Sequence, residues 1–301
     1  MPTDHVVAIV GGGPAGLSAA LTLARANIRS VVFDAPAPAR NAASAAIGNL
    51  PGHDGIAPSA LRETIRIELS GYGLTEFHTA DVVNTAGALH ESFTVTPSTG
   101  DPITVSRIIL ACGRVDLYPN VDGFSEYWGR SIHNCPYCGG YDDRNTPWGV
   151  VVNRPEMTSI IEIYRMWSDD LIVFMDPDIE MDDARKADLT GKGIGVETTP
   201  IRRIVGNGER IHGVELADGR TVQRAALIWW PRMTVPPIVA DLRLALSDQG
   251  EVVIDDAYRS SRSGIYATGD LIYSNHQSTA SAIHLGGACA ASVVFDIAMA
   301  Q

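Results

Sequence analysis

A short β-branched run, His5-Val6-Val7-Ala8-Ile9-Val10, leads directly into Gly11-Gly12-Gly13-Pro14-Ala15-Gly16 and then into an Ala- and Leu-rich stretch from Leu17 to Ala26. No other feature restricts the fold as much. Strand, glycine turn and helix in that order make a dinucleotide-binding βαβ unit. Gly11 permits the tight turn, Gly13 lets a pyrophosphate approach the backbone, and Gly16 lets the helix pack on the strand. The phosphates would rest on the helix N-terminus, which Pro14 and Ala15 open. A GxGxxG pattern alone is weak, but Ser30-Val31-Val32-Phe33 reads as a second strand ending in Asp34. A carboxylate there accepts hydrogen bonds from a ribose 2′,3′-hydroxyl pair and repels a 2′-phosphate, so FAD or NAD is expected at this site and NADP is not.

At 301 residues the chain is long for one core, and two domains are expected. Its net charge of -12 argues against nucleic acid or an anionic membrane as partner. Four cysteines are too few for a disulfide scaffold. No basic-then-apolar leader precedes the first strand, and no apolar run reads as reaching the roughly 18 residues of a membrane span. A cytoplasmic protein is expected.

Two of the cysteines lie in His133-Asn134-Cys135-Pro136-Tyr137-Cys138. With two residues between them they can close a redox disulfide, and Pro136 suits the opening turn of a helix, whose positive end lowers a thiol pKa. Half of a zinc site is the competing reading. Zinc wants four ligands, however, and Cys112 and Cys289 lack a paired spacing, so no metal is expected.

Ala35 to Pro58 reads as a long loop, either a cover for the cofactor or a solvated surface segment. It contains Arg40-Asn41, Asn49 and Gly52-His53-Asp54-Gly55. Leu61 to Tyr72 has helical spacing, short alternating runs near Val82, Phe93 and Thr104 suggest a β-meander, and Arg107 to Gly113 reads as a buried strand in which Cys112 is a small core residue. The turn-rich Asp116 to Gly123 suits an interdomain link. Trp148-Gly149-Val150-Val151-Val152 then begins a second βαβ unit whose glycine turn is missing. Bulky Arg154 and Glu156 would crowd a pyrophosphate on the helix expected near Met157, and the next strand ends in Asp176-Pro177-Asp178, where a 2′-phosphate would need cations. This unit reads as one that has kept its shape and lost its ligand.

Short strands follow around Gly195 to Thr198, Arg210 to Leu216 and Ala225 to Trp230, and Pro231, Pro236 and Pro237 mark a second link. Glu251 to Asp255 reads as a strand. Gly264 to Asp270 reads as another, ending where Gly269 and Asp270 can meet the ribityl chain of a flavin. A long helix from Gln277 to Met299 would bring Gln277 and Ser278 to the flavin pyrimidine edge. The expected fold is α/β with two Rossmann-like, three-layer ββα domains. The FAD domain is discontinuous (1-115 and 237-301) and a degenerate NADPH-type domain (116-236) carrying the cysteine pair is inserted in it.

The Gly11 to Gly16 turn, this interrupted layout, the CPYC pair and Ala267-Thr268-Gly269-Asp270 together resemble a low-molecular-weight thioredoxin reductase over essentially the whole chain. Within that superfamily the sequence is most similar to the dithiol oxidases that close disulfide rings in gliotoxin, holomycin and romidepsin biosynthesis. The shared features are Arg40-Asn41, Gly52-His53-Asp54-Gly55 and Tyr127-Trp128-Gly129-Arg130. The resemblance implies bound FAD, with Arg40, Asn41 and Asn49 among its contacts, and a homodimer. It implies attack of a small-molecule dithiol on an exposed Cys135 sulfur, with Cys138 nearer the flavin and dioxygen as acceptor. Tyr137 or Trp128 would line the substrate entrance, or serve as core or dimer contact. Gly139 departs from the family pattern, in which His or Asp follows the second cysteine. A proton-transfer group must then be sought among Asp142, Asp143, His133, His276 and His284. A thioredoxin-type reductase fed by NADPH or another donor, and a non-catalytic flavin/disulfide redox sensor, are the alternative readings.

Overall fold

The computed structural model describes residues 6-89 and 91-300, so His5, expected at the head of the first strand, lies outside the described residues. The chain runs through β1 Val6–Val10, α1 Pro14–Arg25, β2 Arg29–Asp34, α2 Pro58–Ser70 and β3 Thr75–Thr79. An antiparallel meander of Val82–Ala88, Ser92–Pro97 and Ile103–Val105 precedes β4 Arg107–Leu110. It continues with β5 Ile132–His133, β6 Trp148–Val152, β7 Leu171–Met175, α3 Asp183–Gly191 and β8 Gly195–Glu197. A second meander of Ile201–Gly206, Ile211–Leu216 and Thr221–Gln223 leads to β9 Ala226–Trp229, and the chain closes with β10 Ile265–Ala267 and α4 Thr279–Met299.

These elements form two compact units. The first is built from the stretch up to Ala42, from Ala57–Val115 and from Met233 onward; the second from Ala43–Ile56 and Asp116–Arg232. The division differs from the expected one in two places. Residues 43-56 group with the second unit, and the return to the first falls at 232/233 instead of 236/237.

Each unit holds a five-stranded parallel sheet, in the order β10-β4-β1-β2-β3 in the first and β8-β7-β6-β9-β5 in the second. Alternation along the strands sorts their side chains onto two faces. In the first unit Val7, Ile9, Val32 and Ile109 pack with Leu17 and Leu23 of α1 and Val293 of α4, while Ala8, Val10, Val31, Phe33 and Leu110 pack with Phe93 and Val95 of the meander. The second unit repeats the scheme. Val150, Val152, Val173 and Ile228 face Met157, Ile161 and Tyr164, and Val151, Phe174, Leu227 and Trp229 face Val214 and Leu216. Sheet, helical layer and meander are the three expected layers.

Several local expectations are corrected. Glu251 to Asp255 is not a strand, because Val252 makes only an isolated bridge to Leu246. No α-helix follows β6, where the chain makes two 3-10 turns, Pro155–Ser159 and Ile161–Met166. The reason is local: Thr158 Oγ1 donates to the Pro155 carbonyl at 2.7 Å and Ser159 Oγ to that of Glu156 at 2.8 Å. The β-branched Thr158, Ile160, Ile161 and Ile163 also weaken helix propensity. Lastly, α4 is 21 residues long and apolar enough to cross a membrane by length and composition, which overturns the expectation that no run reaches that length. One face of it packs into the first unit. An added Cβ at Gly286 would lie 2.0 Å from the Ala15 carbonyl oxygen, Cys289, Ala290, Val293 and Ile297 are buried, and Asp296 accepts hydrogen bonds from Arg259 and Tyr266.

Candidate functional site

In the first unit the glycine turn is set by contacts that admit no side chain. Gly11 has φ +114° and an added Cβ would lie 2.4 Å from the Ala111 carbonyl oxygen; at Gly16 it would lie 1.9 Å from that of Gly11. Gly13 is different. It caps α1 without a side-chain bond, Pro14 opens the helix, Ala15 is buried behind it, and a Cβ on Gly13 would meet nothing within 4 Å. The first N–H groups of α1 therefore lack a side-chain acceptor and adjoin open space, the setting in which an anion binds a helix terminus.

Asp34 ends β2 as expected, and its Oδ1 accepts the Gly12 N–H at 3.2 Å. Oδ2 accepts from Arg66 at 2.8 Å and also from Arg62, both on α2, and Arg66 stacks over Phe77. Two guanidinium charges against one carboxylate overturn the argument that Asp34 by itself would repel a 2′-phosphate. The spacing of Arg62 and Arg66, one helical turn apart, was the available signal.

Gly269, at φ +66°, packs against Ala15, and Asp270 meets Arg40 at 3.1 Å although 230 residues separate them. Thr268 Oγ1 is fully buried with no hydrogen-bond partner among the described residues. An orphaned hydroxyl beside an uncapped helix start is what a polar ligand satisfies. These residues are of the kind that could hold FAD: Gly11 and Gly13 to Gly16 would take the pyrophosphate, Asp34 the ribose, and Asp270 with Arg40 the ribityl end. Of the other expected contacts, Ser278 spends its hydroxyl as the cap of α4, accepting the Ser281 N–H at 3.1 Å. Gln277 precedes that cap, Asn41 is half-buried in the first unit, and Asn49 groups with the second unit, its N–H bonded to Asp54 at 2.7 Å.

The cysteine pair sits in the second unit. Cys135 leaves β5 in extended conformation, and Pro136–Gly140 makes one π-helical turn where an ordinary helix was expected. An added Cβ at Gly48 would lie 2.4 Å from the Cys138 carbonyl oxygen, so the 43-56 stretch lies on the back of this turn. Cys135, which caps the turn just after β5, is buried and Cys138 within the turn is exposed, the reverse of the expected exposure. A hydrogen bond from the Cys138 thiol, reinforced by the Tyr137 and Cys138 N–H groups, outweighs burial and brings the Cys135 thiol down to about 7. Burial pushes Cys112 up to about 12 and Cys289 higher still, so those two are unreactive.

Of the candidate proton-transfer groups, the turn brings two together. His133 Nε2 lies 2.7 Å from Asp143 Oδ2, and Asp143, 1% exposed, is also ion-paired with Arg210. Arg210 was not foreseen; no local pattern links it to a residue 67 positions earlier. Asp142 is exposed nearby, while His276 and His284 are exposed in the first unit. Trp128 is core, stacked on Phe124 at 5.3 Å, whereas Tyr137 is exposed and edge-on to Trp167. Among the described residues no group of three or more His, Cys, Asp or Glu gathers that could hold a metal.

Burial and the Arg210 charge push the His133 imidazole down to about 4 against the pull of Asp142. Asp143 is closer but is neutralised by Arg210, which leaves burial as the ruling cause. The folded imidazole thus refuses a proton that the unfolded chain accepts below pH 6.5, and stability contributed by the neutral ring is lost as pH falls from 6.5 toward 4. Between pH 7 and 4.5 the protein should lose roughly 2-3 kcal/mol more stability than His133→Gln, read from denaturant midpoints; parallel losses would refute this.

The pyridine nucleotide-disulphide oxidoreductase family pattern matches residues 5-154 and 169-286. The chain is 29% identical over 286 residues to thioredoxin reductase sirT of Leptosphaeria maculans, covering 89% of this chain and 87% of that one. It is 30% identical over 289 residues to thioredoxin reductase aclD of Aspergillus oryzae, covering 87% of each. Among solved structures HlmI superposes with a TM-score of 0.87 at 33% identity, over 100% of this chain and 96% of that one.

Proposed function

Because the chain belongs to the pyridine nucleotide-disulphide oxidoreductase family and is a thioredoxin reductase-like oxidoreductase, we propose that it is an FAD-dependent dithiol oxidase. It would close an intramolecular disulfide in a small-molecule dithiol and give the electrons to dioxygen. The observation that carries this reading is the end of β6. A nicotinamide cofactor needs a glycine turn and a helix N-terminus there, and this chain has Asn153, Arg154 and two 3-10 turns. The Asn153 amide donates to the Trp230 carbonyl at 2.7 Å, and the Arg154 guanidinium bonds the Pro231 carbonyl and lies over the Trp230 ring. On the neighbouring turn and helix, Arg185 and Lys192 are paired with Glu162 and Asp188.

The chemistry FAD supplies when bound is a two-electron store that dioxygen can discharge. The cysteines do the rest. A substrate thiolate opens the Cys135–Cys138 disulfide, forming one substrate–enzyme S–S bond and releasing the other cysteine as a thiolate. The second substrate thiol displaces the enzyme sulfur and closes the ring. The substrate loses two electrons and two protons, and the balance over a cycle is dithiol plus O2 to cyclic disulfide plus H2O2. The low-pKa Cys135 makes a stable thiolate of the reduced pair near neutrality. The same reading has the protein acting in the cytoplasm as a homodimer without nucleic-acid or membrane partners, in keeping with its net charge of -12.

The test is anaerobic titration of the holoenzyme. A reduced small dithiol should bleach the flavin absorbance within minutes and NADPH should leave it unchanged, while in air each dithiol consumed should yield one H2O2. Bleaching by NADPH would transfer the assignment to a reductase; no response to any dithiol would leave a sensor.

A further inference from the structure

We propose that His133, braced by Asp143 and Arg210, is the group that takes and returns the proton at the Cys135–Cys138 pair, its ring filling the place of a side chain at position 139. This rests on the oxidase reading and names the proton-transfer group that reading lacks.

The residue following Cys138 is Gly139, which has no side chain to move a proton. A Cβ built on Gly139 would lie 2.3 Å from His133 Nδ1 and 2.4 Å from Cε1. The imidazole therefore already occupies that volume. It arrives from another direction, because β5 pairs in parallel with β9, setting His133 opposite Ile228, and places it two residues before Cys135.

The tautomer follows from the other nitrogen. Nε2 lies 2.7 Å from Asp143 Oδ2, and a carboxylate only accepts, so Nε2 carries the hydrogen and Nδ1, facing Gly139, keeps its lone pair. Asp143 cannot easily turn away. Its Oδ1 pairs with Arg210, its carbonyl accepts from Trp148 Nε1 at 2.8 Å and from Thr146 Oγ1 at 2.6 Å, and its N–H donates to the Gly140 carbonyl at 3.2 Å.

The charged groups facing the ring are Asp143, Arg210 and Asp142. Burial and the Arg210 charge keep it neutral near pH 7 against the pull of Asp142, so its Nδ1 lone pair is open to a proton that it holds only briefly. As the substrate thiol attacks, its proton passes to Nδ1, the Cys135–Cys138 bond breaks, a substrate–cysteine bond forms, and the released cysteine thiolate takes the proton back. No electron passes through the ring.

The test uses the purified full chain with its cysteines reduced, and reads alkylation of the pair by iodoacetamide against pH, followed by mass. His133→Gln should slow alkylation at pH 7 by about tenfold, the loss expected when a neutral base is removed. The double variant His133→Ala with Gly139→His, which returns an imidazole from the facing residue, should recover the rate to within about twofold of the parent. A His133→Gln profile superimposed on the parent, or no recovery in the double variant, overturns the proposal. Should His133→Gln fold poorly, the double variant restores the lost volume and decides the matter by itself. Oxygen uptake with a small dithiol is measured separately on the parent. Its absence beside the expected alkylation shifts sinks the oxidase reading and leaves the proton assignment standing, whereas normal uptake with unshifted alkylation sinks the assignment only.

Discussion

Replacing either Cys135 or Cys138 by serine should lower dithiol-dependent oxygen uptake by at least about a thousandfold, to the background of free flavin. The two sulfurs act as one unit. Neither alone can form the disulfide that the substrate opens, and so the double variant should be no worse than either single one. The free thiols elsewhere cannot substitute, because burial holds Cys112 and Cys289 in the protonated, unreactive form. Oxygen electrode traces on the three variants, with flavin content matched by absorbance, check this. Uptake retained above about a tenth of the parent rate in either single variant would show that substrate electrons bypass the pair.

Gly16→Ala should give a folded protein that purifies nearly colourless, with flavin occupancy below about a tenth of the parent. The added methyl would stand 1.9 Å from the Gly11 carbonyl oxygen, a backbone atom that cannot rotate aside. Either the turn or the start of α1 must move, and overpacking of that kind costs about 1-3 kcal/mol or more. Both parts of the proposed pyrophosphate seat move with it. Gly191→Ala, at the end of α3, serves as the comparison, because a Cβ there meets nothing within 4 Å and its cofactor content should be unaffected. A Gly16→Ala protein as yellow as the parent would place the cofactor elsewhere.

The first unit was largely legible because its information is local. The β1-turn-α1-β2 order and Asp34 at the end of β2 are written in one uninterrupted run from Val6 to Asp34, and the last helix, read from Gln277, begins two residues later at Thr279. The CPYC spacing announced itself in the same way. What could not be read depended on distant pairs or on local competition. Arg210 reaches Asp143 across 67 positions, and Arg40 reaches Asp270 across 230. The helix expected after β6 failed because Thr158 and Ser159 turn their hydroxyls onto their own backbone, a contest that hydrophobic spacing does not register. The membrane-span expectation failed on α4, whose glycines and alanines leave it apolar over its whole length, and the same small residues let that helix sit close on α1.

The grouping of residues 43-56 with the second unit has a practical corollary. A gene fragment spanning 116-232 would encode the redox turn without the glycine strap that lies behind it, so excising that segment would not isolate an intact disulfide module. Any minimal version of it must be stitched from two separated pieces, and insertions near Gly48 should perturb sulfur reactivity although they fall some 90 residues upstream of Cys138.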